Sequence, residues 1–306
     1  MPAQWVPIQG SSHMPYRYRS ADEDSARWQD FPFRTDDIVI STRSKSGTTW
    51  MQMICALLVF QTPELPAPLS TLSPWLDWLV APRDEVVAAL EAQDHRRFIK
   101  THSPLDGIPI RPDVTYVVVA RHPLDMAVSL YHQSANLDRE RIAELTGQPV
   151  TARRAPLPLG QWLQSWAESD ADPREQLDSL PGVMWHLADA WGRRQEGNVI
   201  LVHYDDLRVD LCGQMRHLAA RLRIDVPDEL WPSLVAAATF EHMKSRADML
   251  VPDPSGVLKS RQAFFRNGVS GAGRALLTPA QVAQYEARAA QLAPTDLLAW
   301  LHRPAG

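Results

Sequence analysis

The chain has 306 residues, 45% of them hydrophobic, with a formal net charge of −5 and a pI near 6.1. That is enough apolar material for one large core or two small ones. The mild acidity excludes a surface built globally for nucleic acid or an anionic membrane, so an anionic ligand has to be met by local basic residues.

Two cysteines, Cys55 and Cys212, exclude a disulfide framework and fit a reducing, cytoplasmic compartment. The first 30 residues show no basic-then-apolar leader, and the longest apolar run, 51–60, is too short to span a bilayer. Residues 10–14, Gly-Ser-Ser-His-Met, look like a cloning remnant although other residues precede them. We set 1–18 apart as an N-terminal extension and treat 19–306 as a single domain.

The first predicted element is a buried strand over 37–41. A tight loop follows, Ser41-Thr-Arg-Ser-Lys-Ser-Gly-Thr-Thr-Trp50, and then a helix over 48–60. A strand, a loop with one Lys and one Gly, and hydroxyl residues opening a helix make a phosphate cradle. The helix N-terminus offers free N–H groups, Lys45 a full charge, and Thr48 and Thr49 hydroxyl donors. The G-x-x-x-x-G-K-[ST] pattern of nucleotide triphosphatases is absent, because here the Lys precedes the Gly. An ordinary loop before a Ser/Thr-capped helix accounts for the same residues.

Proline-rich 63–83 is expected to be a long loop, followed by a helix over 84–93 and a strand over 97–101 that ends at Lys100-Thr-His102. A third strand spans 114–120. Pro123 suits the first turn of the next helix, 123–136, which puts Arg121 at the strand tip and Ser129 about two turns along. After a second proline-rich loop, 149–158, helices are expected over 160–168 and 183–195, a fourth strand over 199–203, and helices over 211–223 and 279–292. The stretch 246–262, with Pro-Asp-Pro-Ser-Gly, is expected to be a mobile connection. Strands alternating with helices predict an α/β fold, a parallel β-sheet flanked by helices, with ligands beyond the carboxyl ends of the strands.

Five segments in order resemble the cytosolic-type sulfotransferases that use 3′-phosphoadenosine-5′-phosphosulfate. They are Lys45-Ser-Gly-Thr-Thr-Trp50, Lys100-Thr-His102, Arg121 with Ser129, Tyr204-Asp-Asp-Leu207, and Arg266-Asn-Gly268 with Gly271. Thr239-Phe240 and Met243 look like that family's Ser-Phe-x-x-Met near the adenine. Arg43-Ser44 departs from the family's Tyr-Pro. Residues 68–77, 95–102 and 104–107 look like an actinobacterial subgroup described as glycolipid sulfotransferases.

The resemblance implies a P-loop-like sulfotransferase fold and a set of roles. Lys45, Ser46, Gly47, Thr48, Thr49 and Trp50 would hold the donor's 5′ end. Arg121, Ser129 and Arg266 with Asn267 and Gly268 would hold its 3′ phosphate, and Trp50, Tyr204, Thr239, Phe240 and Met243 would surround the base. His102 would be the catalytic base, Lys45 would neutralise the leaving phosphate, Lys100 would steady the sulfuryl oxygens, and Ser129 would hold Lys45 until the acceptor arrives.

The residue types fit such work. Arginine's planar fork meets phosphate bidentately, and an unshifted imidazole titrates near pH ~6.5. Core packing explains Trp50 and Phe240 equally well, and a solvated helix start explains Arg121. Asp205 and Asp206 read as structural, and no residue is assigned to a metal.

The acceptor, a small hydrophobic or glycolipid hydroxyl compound, is expected among Trp75, Trp78, Leu79, Tyr131 and Met249, in the irregular stretches 66–80, 134–162 and 246–264. The family's C-terminal dimer motif is degraded, with Arg274, Pro279 and Ala283 at three of its positions. An ATP- and magnesium-dependent P-loop kinase and a non-catalytic nucleotide-binding protein of the same fold are the competing readings.

Overall fold

The four most continuous Val/Ile-rich runs all form strands: β1 (Ile38–Ser41), β2 (Phe98–Thr101), β3 (Thr115–Ala120) and β4 (Val199–His203). The computed structural model describes residues 14–149, 157–251, 253, 255–266 and 268–303. The strands pair parallel in the order β2–β1–β3–β4, with Ile38 opposite both Phe98 and Thr115, and Tyr116 opposite Val199.

Side chains alternate between faces along each strand. Val39, Ile99, Tyr116 and Val118 point into a core shared with the helices Pro123–Asn136 and Leu180–Gly192. Ile38, Ile40, Phe98, Val117 and Val119 point into another, shared with the helices Thr48–Phe60 and Leu211–Leu222. Both faces are covered, which is why these strands are apolar throughout rather than alternating.

The strand order positions the site. From β1 the chain moves to β2 on one side, and it reaches β3 on the other side of β1. The loops after β1 and β3 therefore leave neighbouring strand tips in opposite directions and open a crevice between them. At the other end of the sheet, Arg97 Nε donates to Asp37 Oδ1 over 2.8 Å, with the two side chains 0% and 1% exposed. This buried pair ties the entries of β1 and β2 together.

Helices over 48–60, 123–136 and 279–292 have the expected bounds, and four others, Arg83–Glu91, Leu159–Ala167, Leu180–Gly192 and Leu211–Leu222, shift by one to three residues at their ends. The stretches expected to be loops carry helices of their own, Leu69–Leu72, Arg139–Thr146 and Ala247–Leu250. Arg139–Thr146 forms because Asp138 caps it, accepting from Arg141 N over 3.0 Å, and because Ile142 is buried. The N-terminal residues set aside also contribute: Tyr18 is 2% exposed, and its hydroxyl donates to Asp106 Oδ1 over 2.8 Å. Among the described residues, no helix is long and apolar enough to cross a membrane.

Candidate active site

The loop from β1 to the helix Thr48–Phe60 is held open by two left-handed residues, Lys45 (φ 64°) and Gly47 (φ 110°). A Cβ at Gly47 would also sit 3.0 Å from the Tyr204 ring, so glycine is required there on two counts. Gly47 is the N-cap, and no side chain caps the helix. The first-turn N–H groups are thus left for an anion. Lys45 Nζ lies 3.8 Å from the centroid of the Phe264 ring and 3.4 Å from Gln133 Oε1.

β2 ends with Lys100 and His102 on the same side of the crevice. Lys100 Nζ stacks 3.6 Å over the Trp75 ring. His102 meets the same ring edge-on, at 4.6 Å between centroids. Its Nδ1 lies 2.5 Å from the Thr42 carbonyl, which can only accept, so the proton of the neutral ring sits on Nδ1 and Nε2 is a free acceptor. Arg43 donates to the His102 carbonyl and is paired with Asp178 over 2.6 Å. Beneath them Asp77, 0% exposed, accepts from Thr101 Oγ1 and, over 2.7 Å, from Ser103 Oγ, fixing both neighbours of His102.

β3 delivers Arg121. Its guanidinium lies 4.4 Å from the Tyr204 ring centroid and donates to the Val269 carbonyl over 2.9 Å and the Lys45 carbonyl over 3.3 Å, while its Nε is buried with no partner. His122 is the N-cap of the helix Pro123–Asn136, with Pro123 in its first turn. Asp125 on that helix accepts from Gly271 N over 2.7 Å and Gly273 N over 2.8 Å. That pair of bonds holds the segment carrying Arg266 and Gly268 over Arg121. Gly268 takes φ 61°, and a Cβ there would collide with the Phe240 ring at 2.8 Å.

These elements enclose one cavity of about 700 Å³. Around the cradle its charge is one-sided. Burial, and then the charges of Arg121, Lys100 and Arg266, push Lys45 down to about 7. Burial pushes Lys100 down to about 8 against the opposing pull of Glu23 and Asp77. Burial and then Arg121 lower Arg266. Among the described residues, no salt bridge joins Lys45, Arg121 or Arg266 to a carboxylate. Burial, then Lys100 and Arg43, hold His102 well below its ordinary 6.5, so its ring is neutral at pH 7. The unfolded chain binds more protons than the folded one below pH 6.5, so this burial makes stability fall as the pH drops below that value.

The sulfotransferase-domain family profile matches residues 35–293. The chain belongs to the sulfotransferase family. It is 42% identical over 305 residues to a glycolipid sulfotransferase of Mycobacterium bovis, covering 93% of each chain, and 42% identical over 304 residues to a glycolipid sulfotransferase of Mycobacterium tuberculosis, again covering 93% of each. Among solved structures, retinol dehydratase in complex with androsterone and the inactive cofactor PAP is similar at a TM-score of 0.69, with 21% identity over 92% of this chain and 85% of the other. A mouse sulfotransferase complexed with PAP gives 0.65 and 21% identity over 90% of each chain. The parallel sheet flanked by helices is thus the P-loop-like sulfotransferase fold. The enzyme is a sulfotransferase, and neither the kinase nor the non-catalytic reading is retained.

Of the residues singled out in the sequence, Lys45, Gly47, Thr48, Thr49, Trp50, Lys100, His102, Arg121, Ser129, Tyr204, Phe240, Met243, Arg266 and Gly268 line the sulfotransferase's cavity. Ser46 and Thr239 do not. Ser46 is 4% exposed and turns the loop through its N–H to the Arg43 carbonyl, over 3.2 Å. Thr239 caps the helix Phe240–Ser245, accepting from His242 N over 3.3 Å. Asn267 lies outside the described residues. Ser129 lines the cavity, but Lys45 reaches Gln133, one turn further along the same helix face, instead of Ser129.

On the acceptor side, Trp75 and Trp78 line the cavity, whereas Leu79, Tyr131 and Met249 do not. The Leu79 backbone pairs with Asp22, the Tyr131 hydroxyl donates to the Leu157 carbonyl over 2.8 Å, and Met249 packs on the core. Sequence reasoning missed Arg43, Asp125, Gln133, the segment 18–23 and the segment 174–179. Arg43 had registered only as a departure from a motif, and nothing local marks the two segments as cavity walls. Asp205 and Asp206 are structural, Asp205 accepting from Ser270 and Asp206 pairing with Arg303 over 2.5 Å.

Proposed function

We propose that this enzyme transfers the sulfuryl group of 3′-phosphoadenosine-5′-phosphosulfate to a hydroxyl of a glycolipid or similarly hydrophobic acceptor, with His102 as the base. The observation that carries the donor assignment is the cation cluster of buried Arg121 and half-buried Lys45 and Arg266, without a carboxylate partner, set around an uncapped helix N-terminus. Such a cluster opposes folding unless an anion with charges at two separated points completes it. The unpartnered Nε of Arg121 is the kind of orphan a phosphate oxygen satisfies.

In this reading His102 Nε2 takes the proton of the acceptor hydroxyl as the new oxygen–sulfur bond forms. The bond from sulfur to the bridging oxygen breaks, and Lys45 neutralises the charge that grows on the departing 5′ phosphate. Lys100 steadies the sulfuryl oxygens. Trp50 and Phe240 flank the base, and the described part of 255–266, with Phe264 already against Lys45, covers the reacting atoms from water. The glycolipid acceptor is suggested by the names of the mycobacterial relatives. A single domain over 19–306 and a cytoplasmic location belong to the same proposal, the latter in keeping with the unpaired Cys55 and Cys212.

The first test is thermal. Adenosine 3′,5′-bisphosphate is expected to raise the melting temperature more than AMP does, because it alone fills both anion sites and binding to the native state stabilises by mass action. Equal shifts would mean that the 3′-phosphate site at Arg121 and Arg266 is misassigned.

A second test uses protons. With Lys45 held near 7, most of the free enzyme at pH 8 carries a neutral amine, and an arriving phosphate raises its proton affinity. Binding of adenosine 3′,5′-bisphosphate at pH 8 is therefore expected to take up close to one proton, and affinity is expected to fall as the pH rises above about 7. Calorimetry in buffers of different ionisation enthalpy measures the uptake, and zero uptake would show that Lys45 does not meet the phosphate.

A further inference from the structure

The acceptor half of the cavity holds one acidic side chain that no internal contact accounts for. Glu23 lines the cavity with Trp75, Trp78, Lys100 and His102. Its backbone is fixed: it bridges Trp78, its N–H donates to Ser20 Oγ over 3.0 Å, and its carbonyl accepts from Ser20 N over 2.8 Å. Among the described residues its carboxyl makes neither a hydrogen bond nor an ion pair.

The charged groups facing Glu23 are Arg43, Asp77, Asp22 and Asp178, with Lys100 beside it. Several of them are committed elsewhere. Arg43 holds the His102 carbonyl and Asp178, Asp77 holds Thr101, Ser103 and Trp28, and Lys100 lies over Trp75. A half-buried carboxyl in a cavity wall, fixed by its backbone and left without a partner, is placed to meet a ligand, because leaving it unmatched is unfavourable.

The walls around it indicate which ligand. Next to Glu23, Trp75 and Trp78 stack at 4.8 Å and 13°, with Lys100 over the Trp75 ring, so the pair sets aromatic surface beside the carboxyl. The cavity wall also carries the apolar side chains of Leu130, Leu137, Ile142, Trp162, Val257 and Leu258, so one cavity offers both a polar group and an apolar lining. Burial, followed by the surrounding carboxylates, raises Glu23 to about 8. Its acid form has one donor and one acceptor, the complement of a hydroxyl, while a cationic amine would meet Lys100 beside it.

We propose that Glu23 determines acceptor specificity by hydrogen-bonding a second hydroxyl of a carbohydrate headgroup whose neighbouring hydroxyl is presented to His102. The inference rests on the assignment of the His102 side as the acceptor half. It follows that a simple alcohol or phenol, whose one hydroxyl is used at His102, leaves Glu23 unsatisfied and is the poorer substrate.

The test compares hexyl β-D-glucoside with 1-hexanol. Both kcat/KM for sulfuryl transfer and binding, the latter read from the fluorescence of the cavity tryptophans, are measured with and without adenosine 3′,5′-bisphosphate. The wild-type enzyme is expected to favour the glucoside. Glu23→Ala is expected to weaken the glucoside by about tenfold or more and to leave 1-hexanol unchanged, as loss of one or two ligand hydrogen bonds predicts. Glu23→Gln, which keeps a donor and an acceptor, is expected to restore most of the loss. Thermal melts of each variant report folding.

A Glu23→Ala enzyme as good as wild type on the glucoside overturns the proposal. So does an equal loss on both compounds, or a wild-type enzyme without preference for the glucoside. Bisphosphate binding, read in the same titrations, depends on the Lys45 and Arg121 half. Its absence in the wild-type enzyme defeats the donor assignment, whereas the glucoside contrast in the unloaded protein still decides the role of Glu23.

Discussion

His102→Ala is expected to lower the turnover of sulfuryl transfer to a hydroxyl acceptor by about 10²–10⁴-fold, the range of general-base assistance, and to leave affinity for adenosine 3′,5′-bisphosphate nearly unchanged. The imidazole stands at the tip of β2, with Nδ1 on the Thr42 carbonyl and its ring against Trp75. Because burial, Lys100 and Arg43 keep it well below 6.5, it is neutral and able to accept a proton throughout the neutral range. The acid limb of kcat in the wild-type enzyme therefore lies below pH 6.5 and disappears in the variant. Single-turnover rates as a function of pH, with bisphosphate titrations alongside, measure both. Near-normal turnover by His102→Ala would remove it as the base.

Lys45→Ala changes two quantities at once. In the proposed reading Lys45 faces the 5′ end before and after transfer, so the variant is expected to bind the bisphosphate more weakly. It also loses the charge that stabilises the leaving oxygen, a loss on the order of 10²–10³ in kcat by analogy with the removal of one preorganised donor. Lys45 lies in a left-handed backbone conformation and its carbonyl accepts from Arg121. The backbone bond survives the substitution, so the loop is expected to keep its shape. Proton uptake on binding at pH 8 should vanish in this variant. Weaker binding with unchanged kcat would place Lys45 on the donor without a role in leaving-group departure.

The cradle was the most legible part of the site. Whether a loop binds phosphate depends on a few consecutive residues, and here Lys45, Gly47 and the helix start at Thr48 are all within one turn of each other. That Arg121 and Ser129 would both reach the cavity was legible for a similar reason, since a proline-started helix sets their spacing. Asp125 was not, because its partners, Gly271 and Gly273, are 146 and 148 residues away and nothing in the sequence around either end announces the contact. Gln133 was missed because an unremarkable polar residue on a helix gains its role only from the Lys45 amine that folds back onto it. Leu79, Tyr131 and Met249 were assigned to the acceptor wall by their size and by the irregularity of their neighbourhood. Neither property says which way a side chain points once its backbone has paired.

By itself, then, the sequence determined the four strands, the helices that follow the two phosphate-binding tips, and the chemistry offered at those tips. These depend on local periodicity and on contiguous residues. Only the tertiary structure decided how the cavity is closed and what charge it carries. The order β2–β1–β3–β4 sets the tips of β1, β2 and β3 side by side and puts His102 against Thr42 of the cradle loop. Packing of the N-terminal segment against Asp106 and Trp78 brings Glu23 into the cavity wall, from a stretch adjoining the one set aside as an extension. Burial, a property of the whole fold, shifts the proton affinities of Lys45, Lys100, His102 and Glu23. Desolvation depends on what the rest of the chain places around a group, and no local pattern of residues encodes it.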